Sequence, residues 1–306
     1  MLGDFAPMAR FIALLFSVHF VIAAAAPPPR VNHPYALRRD FAAAQPRALS
    51  AEEVARRVQD RDTGRDSRMT FRMRLFDRHN RTRERVMTLT GLRGRSAAGA
   101  SVAAPEGDRL LIRFIYPNDI RGTSFLVWEH PQKDDERFLF LPSLGRVRRI
   151  AGTEAQESFA GSDFSYEEIG GREFDDYTYA FAGPDGERAS WTPPSGGPAK
   201  DAWRLESRRK DASAPFPRVV SLILKESFMV VQAEIYNRRN ERQKLYTVKR
   251  LEQVEKIWTA MSSEMSNALE KSRTDLDVDA VEYNVGLKEA DFSRRELERG
   301  AGRPAR

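Results

Sequence analysis

The sequence predicts a mainly β (α+β) fold, in which one large curved antiparallel sheet of about 10–11 strands packs against helices on one side. Apolar and polar residues alternate along many short stretches, and this period of two is typical of strands with one buried face. Short connections rich in Gly, Pro, Asn and Asp separate these stretches. Such connections favour an antiparallel meander, because parallel strands need long crossovers.

The first elements show these patterns most plainly. Ser50 and Glu53 have the spacing of a capping box, which predicts that a short amphipathic helix begins there. The stretch Arg68–Phe76 alternates strictly between apolar and polar residues, so it predicts a strand. Residues Asp77–Thr82 have turn chemistry, and the strand predicted at Arg85–Gly91 therefore pairs with the first one in a hairpin.

Further strands follow the same pattern along the chain. They are predicted at Arg109–Tyr116, Thr123–Glu129, Glu136–Leu141, Arg146–Ile150, Ala202–Arg208, Arg218–Lys225, Met229–Asn237 and Leu245–Leu251, with weaker patterns at Ile257–Met265 and Val278–Val285. The Pro- and Gly-rich stretch Gly183–Lys200 is predicted to be a loop. A charged terminal helix is predicted at Leu287–Arg299, packing through Phe292 and Leu297.

The beginning of the chain predicts export. Arg10 precedes the apolar run Phe11–Ile22, and small residues follow at Ala23–Ala26, so residues 1–26 are predicted to be a signal peptide. The alternative is an uncleaved anchor, but the apolar run is shorter than the roughly 20 residues that span a bilayer. Residues 27–48 are Pro-rich and predict a flexible N-terminal arm, and residues 49–300 predict the folded domain. The expected location is the periplasm, as a soluble protein.

The composition excludes several classes of protein. The 306 residues contain no Cys, which excludes disulfides, Cys-ligated zinc and lipid attachment at a mature N-terminal Cys. A charged fraction of 31% is too high for a polytopic membrane protein. The net charge of +6 favours acidic partners only weakly, and export argues against a nucleic-acid partner.

The sequence lacks the residue patterns of known catalytic and cofactor sites. Beyond residue 26 the histidines are His33, His79 and His130, and none has a partner at metal-ligand spacing. No nucleophile elbow, dinucleotide fingerprint or phosphate loop occurs. The carboxylate pairs Glu167–Glu168 and Asp175–Asp176 are interpreted as solvated charge, because neighbours on a strand point to opposite faces. We therefore expect no enzymatic activity, no cofactor and no metal.

The predicted strands carry large apolar faces, which have two interpretations. They form a packed core, which composition alone favours, or they line a cavity for an apolar ligand. Met and Phe suit an adaptable apolar pocket. The candidate lining residues are Met69, Phe71, Met73, Leu75, Met87, Leu89, Ile112, Phe114, Phe125, Val127, Phe138 and Phe140.

Four consecutive motifs resemble a known family. They are Tyr116–Glu129, which contains Arg-Gly-Thr and Trp; Phe138–Pro142, which ends in Leu-Pro; Gly145–Ile150, which reads Gly-Arg-Val-Arg-Arg-Ile; and Glu157–Glu168, which contains Phe-Ala-Gly-Ser-Asp-Phe. In this order they resemble the outer-membrane lipoprotein-sorting protein family, a branch of the LolA/LolB-like superfamily. The resemblance extends from about residue 49 to residue 297, more weakly after residue 171, and the Pro/Gly-rich stretch departs from the family pattern.

The resemblance implies a strongly curved antiparallel half-barrel whose concave side is covered by helices, with a hydrophobic cavity between them. It implies a periplasmic carrier that binds the acyl chain of a lipid or lipoprotein and shuttles it towards the outer membrane. Its expected partner is an inner-membrane transporter of the resistance-nodulation-division type, with transient contact to a membrane or membrane complex. The alternative is a periplasmic adaptor without enzymatic activity that docks a transporter or envelope complex and carries no lipid.

Four arginines are candidates for the rim of such a cavity or for contact with a partner: Arg121, Arg146, Arg148 and Arg149. In the functional interpretation they meet phosphate headgroups or an acidic partner. In the alternative interpretation they form a solvated face with salt bridges to Asp163 or Glu167. The run Ser162–Phe164 is expected to have a structural role, as a turn that locks adjacent strands.

Overall fold

The computed structural model describes residues 48–94, 106–131, 133–172 and 174–299. The predicted signal peptide and the predicted arm up to residue 47 lie outside these ranges, so both remain predictions.

The described residues form one antiparallel sheet of fourteen strands. In chain order the strands are β1 (Asp66–Phe76), β2 (Thr82–Leu92), β3 (Arg109–Tyr116), β4 (Ser124–Trp128), β5 (Glu136–Leu141), β6 (Arg146–Ile150), β7 (Tyr177–Phe181), β8 (Ala189–Trp191), β9 (Lys200–Arg209), β10 (Arg218–Leu224), β11 (Val230–Tyr236), β12 (Arg242–Val254), β13 (Ile257–Asn267) and β14 (Ser272–Tyr283). The α-helices are α1 (Ala51–Gln59), α2 (Tyr166–Gly170) and α3 (Arg294–Glu298).

The sheet consists of two meanders joined by their first and last strands. The order is β6-β5-β4-β3-β2-β1-β14-β13-β12-β11-β10-β9-β7, and β8 also pairs with β9. Its edges do not pair with each other, so the sheet is open. Register shifts interrupt five of the strand pairs, and such bulges bend a sheet. The predicted fold class, an open and curved antiparallel sheet with few helices, is confirmed.

Local sequence chemistry explains the helix start and the turns. The hydroxyl of Ser50 accepts from the amide of Glu53 at 3.2 Å, and the carboxylate of Glu53 accepts from the amide of Ser50 at 2.7 Å, which confirms the capping box. Asp77 Oδ1 accepts from the amides of His79 and Arg81, which closes the β1–β2 turn. The β11–β12 turn ends at Asn240, whose φ of 58° is left-handed.

Two strands were not predicted. Strand β7 lies between the motif region and the Pro/Gly-rich stretch, and β8 lies inside that stretch. Trp191 at the end of β8 is only 5% exposed, and its burial holds this short strand against β9. The predicted terminal helix begins as a 3₁₀ turn at Glu289–Phe292 and continues as α3, and Phe292 and Leu297 are both buried as expected.

Both faces of the sheet are covered over β3–β5. On one face, which we call the concave face, α2 and the 3₁₀ turns at Gly152–Gln156 and Phe159–Gly161 pack against these strands. Helix α1 lies on the same face but packs against β7, β9 and β10. On the opposite face lies the C-terminal segment, whose Phe292 and Leu297 pack against these strands. Strand β5 is therefore buried on both sides, and no polar face remains along most of its length.

Candidate functional site

The strand register gathers ten of the twelve predicted lining residues on the concave face. Cross-strand partners share a face, and Met69, Leu89, Ile112 and Phe125 follow one another across β1–β4 in a continuous row. The other members of the set are Phe71, Met73, Leu75, Met87, Phe114 and Val127. The structure thus assembles one apolar surface from four strands.

The remaining two residues, Phe138 and Phe140, lie on the opposite face, which corrects their assignment to the cavity. On β5 it is Leu139 that pairs with Phe125, whereas Phe138 pairs with Leu126. A shift of one residue along a strand reverses the face. Phe138 and Phe140 pack against Phe292 and Leu297 of the C-terminal segment instead.

A segment at Gly152–Gly170, which we call the cover, fills much of the concave face. Its Phe159 ring lies 5.6 Å from that of Phe114 and 5.8 Å from that of Phe125, and its Tyr166 ring lies 5.2 Å from that of Phe125. A Cβ at Gly170 would meet Val127 Cγ2 at 3.1 Å, so the missing side chain lets the cover approach the sheet closely. Sequence reasoning did not identify Phe159 and Tyr166 as occupants of this face.

Seven predicted lining residues are buried beneath or beside the cover. They are Met73, Leu75, Met87, Ile112, Phe114, Phe125 and Val127, each at most 4% exposed. In this conformation they form a packed core, which is the interpretation that composition alone favours. An apolar ligand reaches them only where the cover moves away.

A neighbouring part of the concave face is only half-buried. It comprises Met69, Phe71, Leu89, Leu110 and Leu276, and we call it the floor. The floor lies on the central strands β14, β1, β2 and β3, where a completely covered sheet would exclude solvent. Its exposure shows that the cover leaves this apolar area accessible.

The cover is fastened to the centre of the sheet by Asp163. The backbone amide of Asp163 donates to Thr274 Oγ1 at 3.0 Å, and that hydroxyl donates to Asp163 Oδ2 at 2.8 Å. Ser272 Oγ donates to the other carboxylate oxygen. Thr274 is completely buried and Asp163 is 9% exposed, so these hydrogen bonds are shielded from water. The run Ser162–Phe164 therefore has a structural role, as expected, in which Asp163 attaches the cover to β14.

Two further carboxylates of the cover reach strands in the other half of the sheet, on the same concave face. Glu167 accepts from Arg209 Nη1 at 2.8 and 2.9 Å and from the Tyr177 hydroxyl at 3.3 Å. Glu168 lies 3.3 Å from Lys244 Nζ, and both side chains are less than 10% exposed. The interpretation of Glu167–Glu168 as solvated charge is therefore wrong.

Burial and these contacts shift two pKa values. Burial disfavours the charged form of Arg209, but its hydrogen bond to Glu167 and the nearby negative charges outweigh burial and raise its pKa. Burial also raises the pKa of Tyr177, so its hydroxyl stays protonated and donates to Glu167. The cover is thus held by charged and hydrogen-bonded groups on one side and by aromatic packing on the other.

The four predicted rim arginines lie in three places. Arg146 and Arg148 are on the concave face of β6, opposite Leu141 and Leu139, whereas Arg149 pairs with Phe138 on the other face. Arg121 is exposed in the β3–β4 turn. The structure therefore brings only Arg146 and Arg148 together on the candidate site.

The salt bridges considered for these arginines do not form. Arg148 Nη1 lies 3.7 Å from Glu154 of the cover. The carboxylates of Asp163 and Glu167 have the other partners described above. Arg146 and Arg148 thus remain exposed at the edge of the cover.

Over the described ranges, no group of three or more His, Asp or Glu side chains has the arrangement of a metal site. Among the helices of residues 48–94, 106–131, 133–172 and 174–299, none is long and apolar enough to span a membrane.

An open, curved antiparallel sheet with helices in its concavity defines the LolA-like class of fold. A LolA superfamily protein from Nitrosomonas europaea shares this fold with a TM-score of 0.59 at 14% identity, over 81% of this chain and 100% of that chain. A DUF1329 family protein from Desulfovibrio piger matches with a TM-score of 0.69 at 26% identity, over 81% and 97% of the two chains.

A candidate outer membrane lipoprotein-sorting protein domain from Vibrio parahaemolyticus matches equally well, with a TM-score of 0.69 at 27% identity over 81% and 98% of the two chains. The resemblance to the lipoprotein-sorting proteins is confirmed. A family model described only as "Uncharacterized protein" matches residues 106–299, more than half of the sequence, and the chain belongs to that family. No curated protein matches the chain significantly.

Proposed function

We propose that this protein is a periplasmic carrier that binds the acyl chain of a lipid or lipoprotein on the concave face and shuttles it towards the outer membrane. The observation that carries this proposal is the division of one continuous apolar face into an accessible floor and a part filled by the cover. The lipoprotein-sorting and LolA superfamily relatives have the same fold. The export predicted for residues 1–26 would place the carrier in the periplasm.

Magnitudes support exchange between the cover and an acyl chain. An acyl chain of about 16 carbons regains about 12 kcal/mol when it leaves water, at ~0.8 kcal/mol per methylene. The cover buries the two large side chains Phe159 and Tyr166 on the same face, which contributes about 4 kcal/mol at ~2 kcal/mol per large side chain. The acyl chain thus offsets displacement of the cover, and the cover in turn keeps the empty face dry.

The acyl chain enters along the floor. Phe71, Leu89 and Leu276 lie next to the buried cluster and are themselves half-buried. A chain lying on the floor contacts the buried residues as soon as the cover lifts. The ten lining residues on the concave face thereby become the ligand site, whereas Phe138 and Phe140 stay in the core of the opposite face.

Two measurements test the proposal. Native mass spectrometry of the protein from its own periplasm, followed by lipid extraction, is expected to find a co-purifying acyl ligand. The substitution Phe71→Trp enlarges a half-buried floor residue and is expected to reduce binding of a fluorescent fatty acid at least tenfold. The matched control, Phe138→Trp on the opposite face, should leave that affinity within twofold. Absence of any bound acyl ligand, together with equal fatty-acid affinities for the two variants, would overturn the proposal.

The proposed donor is an inner-membrane transporter of the resistance-nodulation-division type. Arg149 faces away from the candidate site, is exposed and forms no ion pair among the described residues, so it is free to contact an acidic surface. Cross-linking from position 149 in cells is expected to capture a membrane protein of this type. Capture of outer-membrane components alone would contradict a transporter as donor.

One observation favours the adaptor as a second candidate. Strand β6 is an edge of the sheet and carries Arg146, Arg148 and Arg149, all exposed. An edge with three cations suits an acidic docking partner. If the protein is an adaptor, Arg149→Glu abolishes function in cells while Phe71→Trp leaves it intact. The carrier hypothesis predicts that Phe71→Trp abolishes function.

A further inference from the structure

A groove lies between β5, β6 and the cover. It has a volume of about 360 Å³ and is lined by Leu139, Leu141, Leu144, Arg146, Arg148 and Tyr166. This volume is within the range of small-molecule sites. Leu144, in the turn between the two strands, is 56% exposed and lines the groove together with Leu139 and Leu141.

The strand register places cations and apolar side chains on the same wall. Leu139 pairs with Arg148 and Leu141 pairs with Arg146, so each leucine has an arginine beside it on the concave face. Val147 and Arg149 point to the other side of the sheet. The groove therefore has an apolar base formed by Leu139, Leu141 and Leu144 and a cationic margin on the edge strand.

The two arginines have little negative charge near them. Among the described residues Arg146 forms no ion pair, and Arg148 has only Glu154 at 3.7 Å, beyond hydrogen-bond distance. Protection of a sheet edge explains exposed cations on β6 but not the three leucines that line the groove with them. Cations next to exposed apolar surface match a ligand that carries an anionic group on an alkyl chain.

We propose that this groove binds the phosphate headgroup of an anionic membrane lipid. The phosphate lies between Arg146 and Arg148, and the first carbons of the chain lie on Leu139, Leu141 and Leu144. Arginine suits this role because its planar group donates two parallel hydrogen bonds to phosphate oxygens. The inference rests on the proposed carrier function and names the chemical class of its cargo.

Headgroup binding also acts on the cover. Glu154 lies in the first turn of the cover, and a phosphate that contacts Arg148 competes with it. Binding of the headgroup therefore breaks the contact between Arg148 and Glu154 of the cover. This contact lies where the acyl chain passes from the groove to the concave face. Tyr166 of the cover lines the same groove and packs against Phe125, which joins the groove to the buried cluster.

Calorimetry with dodecyl phosphate, dodecyl maltoside and inorganic phosphate, each detergent below its micelle concentration, tests the proposal. The wild-type protein is expected to bind dodecyl phosphate at least tenfold more tightly than either other probe. The double variant Arg146→Gln/Arg148→Gln should lose at least tenfold affinity for dodecyl phosphate and keep its affinity for dodecyl maltoside. Arg149→Gln, on the same strand but the opposite face, is the matched control and should stay within twofold of wild type.

The outcomes separate the two proposals. Equal affinity for the two detergents, or an equal loss in the Arg149→Gln control, overturns the headgroup site and leaves the carrier function standing. Equal affinity for inorganic phosphate and dodecyl phosphate shows a simple anion site and also overturns the inference. Failure of both detergents and of a fluorescent fatty acid to bind overturns the carrier function as well.

Discussion

Thr274 Oγ1 donates a hydrogen bond of 2.8 Å to Asp163 Oδ2, and this contact ties the cover to a central strand of the sheet. The two residues are separated by 111 positions in the sequence. The same hydroxyl accepts from the Asp163 amide, so the side chain and the backbone of Asp163 are held by one completely buried group. Closure of the cover therefore depends on a polar contact as well as on packing.

Removing this contact should loosen the cover. Asp163→Ala leaves the buried Thr274 hydroxyl and the Ser272 hydroxyl without their acceptor, which is expected to lower the free energy of unfolding by about 3 kcal/mol. Urea denaturation measures this loss. Asp163→Asn keeps one side-chain oxygen as an acceptor for these hydroxyls and should cost less stability than Asp163→Ala. A stability equal to wild type in Asp163→Ala would show that the contact does not hold the cover.

The two faces of β5 should respond differently to substitution. Phe138 is 2% exposed beneath the C-terminal segment, so Phe138→Ala creates a cavity there and should cost about 3 kcal/mol of stability. Fatty-acid affinity at temperatures below the transition should not change, because Phe138 faces away from the site. A large loss of affinity in the folded variant would place Phe138 in the ligand path after all.

Buried tyrosines should make the protein sensitive to alkali. Burial raises the pKa of Tyr177, Tyr179 and Tyr283 above the usual value near 10. An unfolded tyrosine then ionises before a folded one, so the stability that these groups contribute is fully present below pH ~10 and is lost as the pH rises through the folded pKa values.

Urea denaturation at pH 8, 10 and 11 measures this loss. Tyr283→Phe removes one of these groups and should flatten the decline above pH ~10. Tyr116→Phe, at a tyrosine that is 49% exposed, is the matched control and should leave the profile unchanged. If the free energy of unfolding declines with the same slope in the wild type, Tyr283→Phe and Tyr116→Phe, the buried tyrosines are not the cause of the decline.

The alternation of residues predicted most strands but failed where a strand is buried on both sides. In β1 the apolar residues Met69, Phe71 and Met73 are separated by polar ones, so the concave face was correctly predicted. Strand β5 reads Phe138-Leu139-Phe140-Leu141, and the cover and the C-terminal segment bury its two faces. Such a strand has no polar side that could set the register.

The contacts of the cover were beyond local sequence reasoning for a different reason. Glu167 and Arg209 are 42 positions apart, and Glu168 and Lys244 are 76 positions apart. From the local sequence alone such carboxylates are expected to be solvated, because their partners lie on strands that are distant in the sequence. The motif resemblance includes this region, but only the fold shows that its residues lie inside the concavity.

A reversible lock on the cover tests the central claim most directly. The chain has no Cys, so Asp163→Cys/Thr274→Cys introduces one possible disulfide at a pair of side chains already in contact. The account predicts that the oxidised protein binds a fluorescent fatty acid at least tenfold more weakly than the reduced protein, and that reductant restores binding. Equal affinity in the oxidised and reduced forms would show that acyl chains bind without displacement of the cover, and would contradict the account.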